Sequence, residues 1–316
     1  MPNKTLFLFS GQGSQFFQMG YDLYATEPEF RRQMDWFDTL YHTQTGRSMV
    51  ASLYGAQTQE FPLDELSLSH PAIVMVECAL AMTLIRDGIR PDLTLGCSLG
   101  AFSAAAIAGQ ISVEDALFLA ILQAEAVEKK CNQGSMIAVL ASPELYEEAI
   151  IAMEGVIAAR NFSSHFVVTT PYPNTEHVKK FFRQKNVSVQ PLPVRYPFHS
   201  PWLEPARAAF LANVPSGIER KIHRPLWCCA SCDQLEILTE DYFWRVVREP
   251  ILFARSIAQC EQQGPWNYID LGPSGTLATF LKYLLPADSP SVVMPTITRF
   301  GRDQKNLLAL RAVYGR

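Results

Sequence analysis

The pentapeptide Gly96-Cys97-Ser98-Leu99-Gly100 sets a serine between two glycines at the G-x-S-x-G spacing of a nucleophile turn. A short apolar run, Leu93-Thr94-Leu95, leads into it, and small helix formers follow from Ala101 to Ala108. That context predicts a sharp strand-to-helix turn with Ser98 exposed at a helix N-terminus. There, free backbone N–H groups and the helix dipole can stabilise an oxyanion. The flanking glycines let the turn take strained angles without a Cβ clash. A plain glycine turn with an incidental serine is the competing reading, and the strand before it and the helix after it weigh against that.

A nucleophilic serine needs a base. The histidines are His42, His70, His165, His177, His199 and His223. His199 lies in Tyr196-Pro197-Phe198-His199-Ser200-Pro201, a loop-like segment after a strand, where a side chain can project into a cleft. It leads the candidates; the others read as structural or surface groups. A second glycine turn, Ser10-Gly11-Gln12-Gly13-Ser14-Gln15, lacks the Lys-Ser/Thr of a P-loop and the spacing of a dinucleotide fingerprint. It fits better as a turn that offers the Gln12 N–H to an oxyanion. Cys228, Cys229 and Cys232 contain one C-x-x-C near His223, but the second pair that zinc needs is missing. Buried cysteines on a strand are the preferred reading, and Trp227, Phe243 and Trp244 read as core.

These groups need a scaffold, and the pattern supplies an alternating one. Leu6 to Phe9, Leu93 to Leu95, Ser135 to Leu140, Phe166 to Thr170, Val187 to Val194, Leu226 to Ala230 and Tyr268 to Leu271 read as strands. Helical pattern covers Gln15 to Tyr24, Ala101 to Ala108, Pro143 to Met153, Glu176 to Gln184 and Thr276 to Leu285. Strands alternating with helices predict an α/β protein on a mostly parallel sheet. The stretch from Val127 to Phe198 has its own strand–helix run and is expected to form a small ferredoxin-like layer inserted into the larger domain.

Composition bounds the function classes. At 316 residues, one large domain or two unequal ones are expected, and 48% hydrophobic residues can bury a substantial core. Charged residues reach only 18%, below the roughly 25% usual for soluble domains, which excludes a disordered chain or a coiled coil. With 27 basic and 31 acidic residues the net charge is −4, which gives no footprint for nucleic acid. The most apolar stretch, Pro71 to Ile85, is interrupted by Glu77 and closed by Arg86, so no membrane span is expected. The N-terminal run is too short for a signal peptide, and seven scattered cysteines read as reduced thiols. Both point to a cytoplasmic location.

Taken together, the chain resembles the malonyl-CoA:acyl carrier protein transacylase family, the acyltransferases of fatty-acid and polyketide synthesis. The likeness runs along nearly the whole chain. It rests on Phe9-Ser10-Gly11-Gln12-Gly13-Ser14-Gln15, His70-Pro71-Ala72, Gly96-Cys97-Ser98-Leu99-Gly100, Phe198-His199-Ser200-Pro201, Arg248-Glu249-Pro250 and Asp270-Leu271-Gly272-Pro273-Ser274-Gly275, in the family's order. The resemblance implies Ser98 as nucleophile, His199 as its base, and the N–H groups of Gln12 and Leu99 as the oxyanion hole. It orients the histidine through a backbone carbonyl whose position, four residues before the proline of the Arg-Glu-Pro element, falls on Val246. It implies a large α/β-hydrolase-like domain (1–126 and 199–316) with a small ferredoxin-like domain (127–198). No metal or redox cofactor is implied. The partner is an acyl carrier protein presenting an acyl-phosphopantetheine thioester, with acyl-CoA as a second donor.

The departures from the family pattern concern the acyl pocket, assigned to Gln123, His70, Phe198, Ser163 and Cys97. Cys97 replaces the histidine of the family's G-H-S-x-G. Gln123 stands where transferases of malonyl-type units carry an arginine that grips the free carboxylate, and Asp115 to Glu128 contains no Lys or Arg. His70 replaces a frequent Gln, and Ser163 a frequent Asn. An uncharged acyl group is therefore expected, unless Arg195 or Lys129 reaches the pocket. This combination resembles the trans-acting acyl hydrolases and acyltransferase homologues of bacterial polyketide synthases whose acyltransferases are separate proteins. Acyl transfer and a non-catalytic carrier-docking role are the alternatives to hydrolysis. Lys129, Lys130, Lys179 and Lys180 are candidate rim cations for an acidic carrier, against the simpler reading of solvated surface lysines.

Overall fold

The computed structural model describes residues 3–55, 63–149, 154–215, 220–221 and 224–314. The chain begins with β1 (Lys4–Phe9), α1 (Tyr21–Thr26), α2 (Pro28–Thr45), α3 (Met49–Tyr54), α4 (Leu66–Arg86), β2 (Leu93–Gly96), α5 (Gly100–Ile107) and α6 (Val113–Lys130). The middle carries β3 (Gly134–Val139), α7 (Glu144–Ala149), β4 (Val156–Phe162), β5 (His165–Pro171), α8 (Thr175–Gln184) and β6 (Val189–Pro191). Then come α9 (Glu204–Leu211), β7 (Arg220–Lys221), β8 (Leu226–Cys228), β9 (Asp233–Gln234), β10 (Ile237–Leu238), α10 (Tyr242–Arg248) and α11 (Phe253–Glu261). β11 (Trp266–Asp270), α12 (Thr276–Leu284), β12 (Val292–Pro295) and α13 (Asp303–Tyr314) complete it.

The main sheet runs β12-β11-β1-β2-β8-β9, parallel except for β9. A strand covered on both faces reads as a continuous apolar run, and β1 does so once past Lys4 and Thr5: Leu6, Phe7, Leu8 and Phe9 have no exposed surface. Leu6 and Leu8 join one core, with Trp227, Phe253 and Tyr268, while Phe7 and Phe9 face the other, with α4 and α5. The α/β class expected from the alternation is the one the protein adopts.

A second sheet, β4-β5-β3-β6, is antiparallel and lies within residues 134–191. Its β-α-β-β-α-β order gives the ferredoxin-like layer. α7 and α8 close one face over Ile137, Val139, Phe166 and Val168, with Tyr146, Val178 and Phe182 pointing inward. The second sheet is joined to the segment between α10 and α11, where Ala159 of β4 bridges Ile251, which donates its N–H to Ala158 O at 2.8 Å and accepts from Arg160 N at 2.9 Å.

Three expectations change. Residues 15–24 are turns followed by the short α1 rather than one helix, because Gly20 caps α1 in the left-handed region (φ 76°). The strand β4 escaped notice: its Ala158-Ala159-Arg160-Asn161 centre lacks β-branched residues and its pairing shifts register twice. α6 runs unbroken past 126–127 to Lys130, because Ser112 and Asp115 form a capping box at its start and nothing breaks the helix before Cys131. The expected domain edge therefore falls inside a helix. Among the described residues α4 is long and apolar enough to cross a membrane, but 89% of its apolar window is buried in the protein, where it packs on α6, α2 and α5.

Candidate active site

Ser98 occupies the turn from β2 into α5 at φ 55°, a left-handed conformation that a non-glycine residue adopts only under constraint. The constraint is backbone against backbone. A Cβ on Gly100 would fall 2.2 Å from Phe9 O, and one on Gly96 would fall 2.4 Å from the Ala101 backbone. The glycines thus let β2 and α5 fold back onto β1, leaving Ser98 half-buried at the base of a cleft.

His199, also in the left-handed region at φ 61°, is anchored by its N–H on Val247 O at 2.9 Å. Its Nε2 accepts from Ser98 Oγ at 2.8 Å, and its Nδ1 donates to the Glu249 carbonyl at 2.6 Å. The carbonyl is that of Glu249, not Val246. α10 ends at Arg248, and Glu249 is extended (ψ 154°) ahead of Pro250, as the residue before a proline prefers. Its carbonyl turns out of the helix toward the cleft, while Val246, buried and still helical, keeps its own along the helix. Burial pushes the His199 pKa down to about 4 and the Arg248 charge pushes the same way, against the Glu249 hydrogen bond. The ring is neutral at pH 7, with its Nε2 lone pair on the serine.

Gln12 lies on the second glycine turn, and the two turns touch. A Cβ on Gly11 would sit 2.8 Å from Cys97 O, 2.9 Å from Ser98 Cβ and 3.3 Å from Leu99 N. Among the described residues, neither the Gln12 N–H nor the Leu99 N–H has a protein partner. Both are therefore available beside Ser98.

The cleft above Ser98, about 280 Å³, runs between the two sheets. Apolar groups dominate its wall, including Met136, Val167, Leu192, Phe198, Ile251 and Phe280. Among the described residues no lysine or arginine lines it. Arg195 is paired with Asp64 at 2.6 Å and Lys129 with Glu125 at 2.7 Å, both away from the wall. Phe198 and Cys97 line the cleft, the latter with its thiol 3.4 Å from that of Cys229.

Gln123 and His70 do not line the cleft. Both are buried behind Phe198, whose ring centroid is 5.5 Å from that of His70. Burial holds the His70 pKa down to about 3, with the nearby Gln123 amide acting the other way, so the ring is neutral; neither side chain has a hydrogen-bond partner among the described residues. Ser163 is exposed in the β4–β5 turn and faces away from the site. The polar residues of that hairpin that reach the wall are Asn161 and His165, hydrogen-bonded to each other at 2.9 Å. Asn161 shares the inward face of β4 with Ala159, and because the strand ends at Phe162, Ser163 falls in the turn instead of continuing that face. Of the rim lysines, Lys179 is paired with Glu176 at 2.7 Å, and Lys130 and Lys180 are exposed. Cys228, Cys229 and Cys232 are buried, and His223 lies outside the described residues.

The chain is similar along its length to acyl transferase domains and to acyltransferase homologues of polyketide biosynthesis. An acyl transferase domain family model matches residues 6–316. The polyketide biosynthesis acyltransferase homolog BaeD of Bacillus velezensis is 38% identical over 97% of this chain and 95% of its own length. PksD of Bacillus subtilis, of the same description, is 36% identical over 97% and 95%. The malonyl-CoA:acyl carrier protein transacylase (MCAT) structure from Streptococcus pneumoniae superposes with a TM-score of 0.80 at 26% identity, covering 98% of this chain and all (100%) of that one. With a family model spanning almost its entire length, the chain belongs to the acyl transferase domain family.

Proposed function

We propose that the protein is a serine-dependent acyl hydrolase that removes uncharged acyl groups from acyl carrier protein thioesters in polyketide biosynthesis. The observation that carries the acyl preference is the absence, among the described residues, of any lysine or arginine on the cleft wall. A charge-assisted bond contributes about 1.5–3 kcal/mol, and a carboxylate buried without one is penalised further. An acetyl or longer alkyl group meets a wall that is mostly apolar and carries no fixed cation among the described residues. The polyketide setting is supported by the names of the Bacillus relatives.

The chemistry follows from the dyad. His199 Nε2 takes the proton of Ser98 Oγ as the oxygen attacks the thioester carbon. The Gln12 and Leu99 N–H groups hold the resulting oxyanion. The C–S bond then breaks, and the phosphopantetheine thiol leaves with the proton from Nε2, giving an acyl-serine ester. Water attacks that ester through the same histidine, the acid departs and Ser98 recovers its proton. The cofactor arm arrives on the carrier; this chain supplies the dyad, the donors and the apolar walls.

Transfer to a second thiol shares every step but the last, and the family to which the chain belongs favours it as the second reading. Incubation with an acetyl-loaded carrier and a second, unloaded holo-carrier separates them. Free acetate with the second carrier left unloaded is expected. Acetyl appearing on the second carrier without free acid would make the protein a transferase.

A further inference from the structure

Beneath the two turns lies a buried acid that the dyad chemistry does not use. Glu77, on the inward face of α4, has no exposed surface. Its Oε1 accepts from Ser10 Oγ at 3.4 Å. Ser10 follows β1 and immediately precedes the Gly11-Gln12 turn. The Glu77 Oε2 and the Ser103 hydroxyl are both fully buried without a hydrogen-bond partner, and that hydroxyl is close enough to act on the acidity of the carboxyl. Ser103 lies one helical turn beyond Leu99 on α5. One carboxyl is thus bonded to the residue ahead of the Gln12 turn and lies beside an unpartnered hydroxyl of the helix that follows Leu99.

Burial, with the nearby Asp270 acting the same way, raises the Glu77 carboxyl well above the usual carboxylate range, against the nearby Ser103 hydroxyl and the Ser10 hydrogen bond. A neutral carboxylic acid has one acceptor oxygen and one O–H donor. It can accept from Ser10 and donate to Ser103, which an ionised carboxylate cannot do. Asp270 is itself engaged, accepting from Gly272 N at 2.9 Å and Ala278 N at 2.7 Å.

We propose that Glu77 is a positioning residue that ties the Gln12 turn to the Leu99 turn and so fixes the spacing of the two oxyanion donors. The inference rests on the serine reading above. Oxyanion donors act only when they stand about 2.7–3.1 Å from the developing charge. The Gly11 and Gly100 contacts bring the two turns together but resist only approach; a hydrogen-bonded carboxyl beneath them resists separation.

The test uses p-nitrophenyl acetate, whose uncharged acetyl group reports acylation of Ser98 without a carrier protein. Rates per folded molecule are compared for wild type, Glu77→Gln, Glu77→Leu and Ser103→Ala. Glu77→Gln retains a donor and an acceptor and is expected to stay within about threefold of wild type. Glu77→Leu is expected to lower kcat for acylation by about 10²-fold with KM unchanged. Ser103→Ala is expected to lower it in the same direction by about tenfold, and it decides the matter if the Leu variant fails to fold. A Leu or Ala variant that loses thermal stability but acylates at the wild-type rate overturns the inference, as does a Gln variant as slow as the Leu one. Wild type that is not acetylated on Ser98 overturns the serine reading, and this inference with it.

Discussion

His199 is held as a neutral base by its surroundings rather than by a carboxylate partner. Because burial lowers its pKa to about 4, the base form persists well below the ordinary histidine range. The acid limb of the acylation rate is therefore expected near pH 4 rather than 6.5, measured as kcat for p-nitrophenyl acetate against pH. A limb at 6.5 would mean that the ring is solvated in the working enzyme. Gln123 tests the acyl preference at the same scale. It sits behind Phe198 beside a neutral His70, so Gln123→Arg would place a cation one ring away from the cleft. The ratio of malonyl-CoA to acetyl-CoA acylation is expected to rise by about tenfold or more, the value of one charge-assisted bond. An unchanged ratio would show that position 123 does not act on the acyl group.

At the scale of elements, the two glycine turns work only because their backbones touch. Gly11→Ala would drive a Cβ to 2.8 Å from Cys97 O and 2.9 Å from Ser98 Cβ, which must part the turns. A fall in kcat of about 10²-fold is expected with the fold retained by circular dichroism; full activity would place the oxyanion donors elsewhere. These turns were legible in the sequence because G-x-S-x-G between a strand and a helix has few other uses. The Glu249 carbonyl was not, since a backbone acceptor leaves no side-chain signature and its direction depends on where α10 stops. Likewise Asn161 and His165 were hidden by β4, whose alanine-rich, twice-shifted pairing carries no clear period of two. Counting along a family pattern put Ser163 in the pocket, whereas the hairpin puts it at the tip.

For the whole molecule, the buried histidines tie stability to pH. His70 titrates at 6.5 when unfolded and at about 3 in the fold, so between those values the unfolded chain binds more protons. Stability from this residue is present above pH 6.5 and is lost as pH falls toward 3, by up to about 1.4 kcal/mol per unit. His70→Gln is expected to flatten that part of the urea-unfolding pH profile; a parallel profile would mean that His70 is protonated in the native protein. Asp270, raised to about 6 by burial, works in the opposite direction, since its protonated form is favoured by the fold between pH 3.8 and 6. The α/β layering and the ferredoxin-like layer were readable from alternation, and Glu77 and Arg86 in the apolar run of α4 already argued against a membrane span, in keeping with its burial in the protein.

The central claim, that Ser98 and His199 clear uncharged acyl groups from a carrier, is tested most directly by intact-protein mass spectrometry. Carriers loaded with acetyl, a longer alkyl acyl chain or malonyl are incubated with wild type and with Ser98→Ala. Wild type is expected to return the acetyl and alkyl carriers to the free thiol and to spare malonyl, while Ser98→Ala leaves all three loaded. Malonyl removed as fast as acetyl, or acyl groups lost equally with Ser98→Ala, would contradict it.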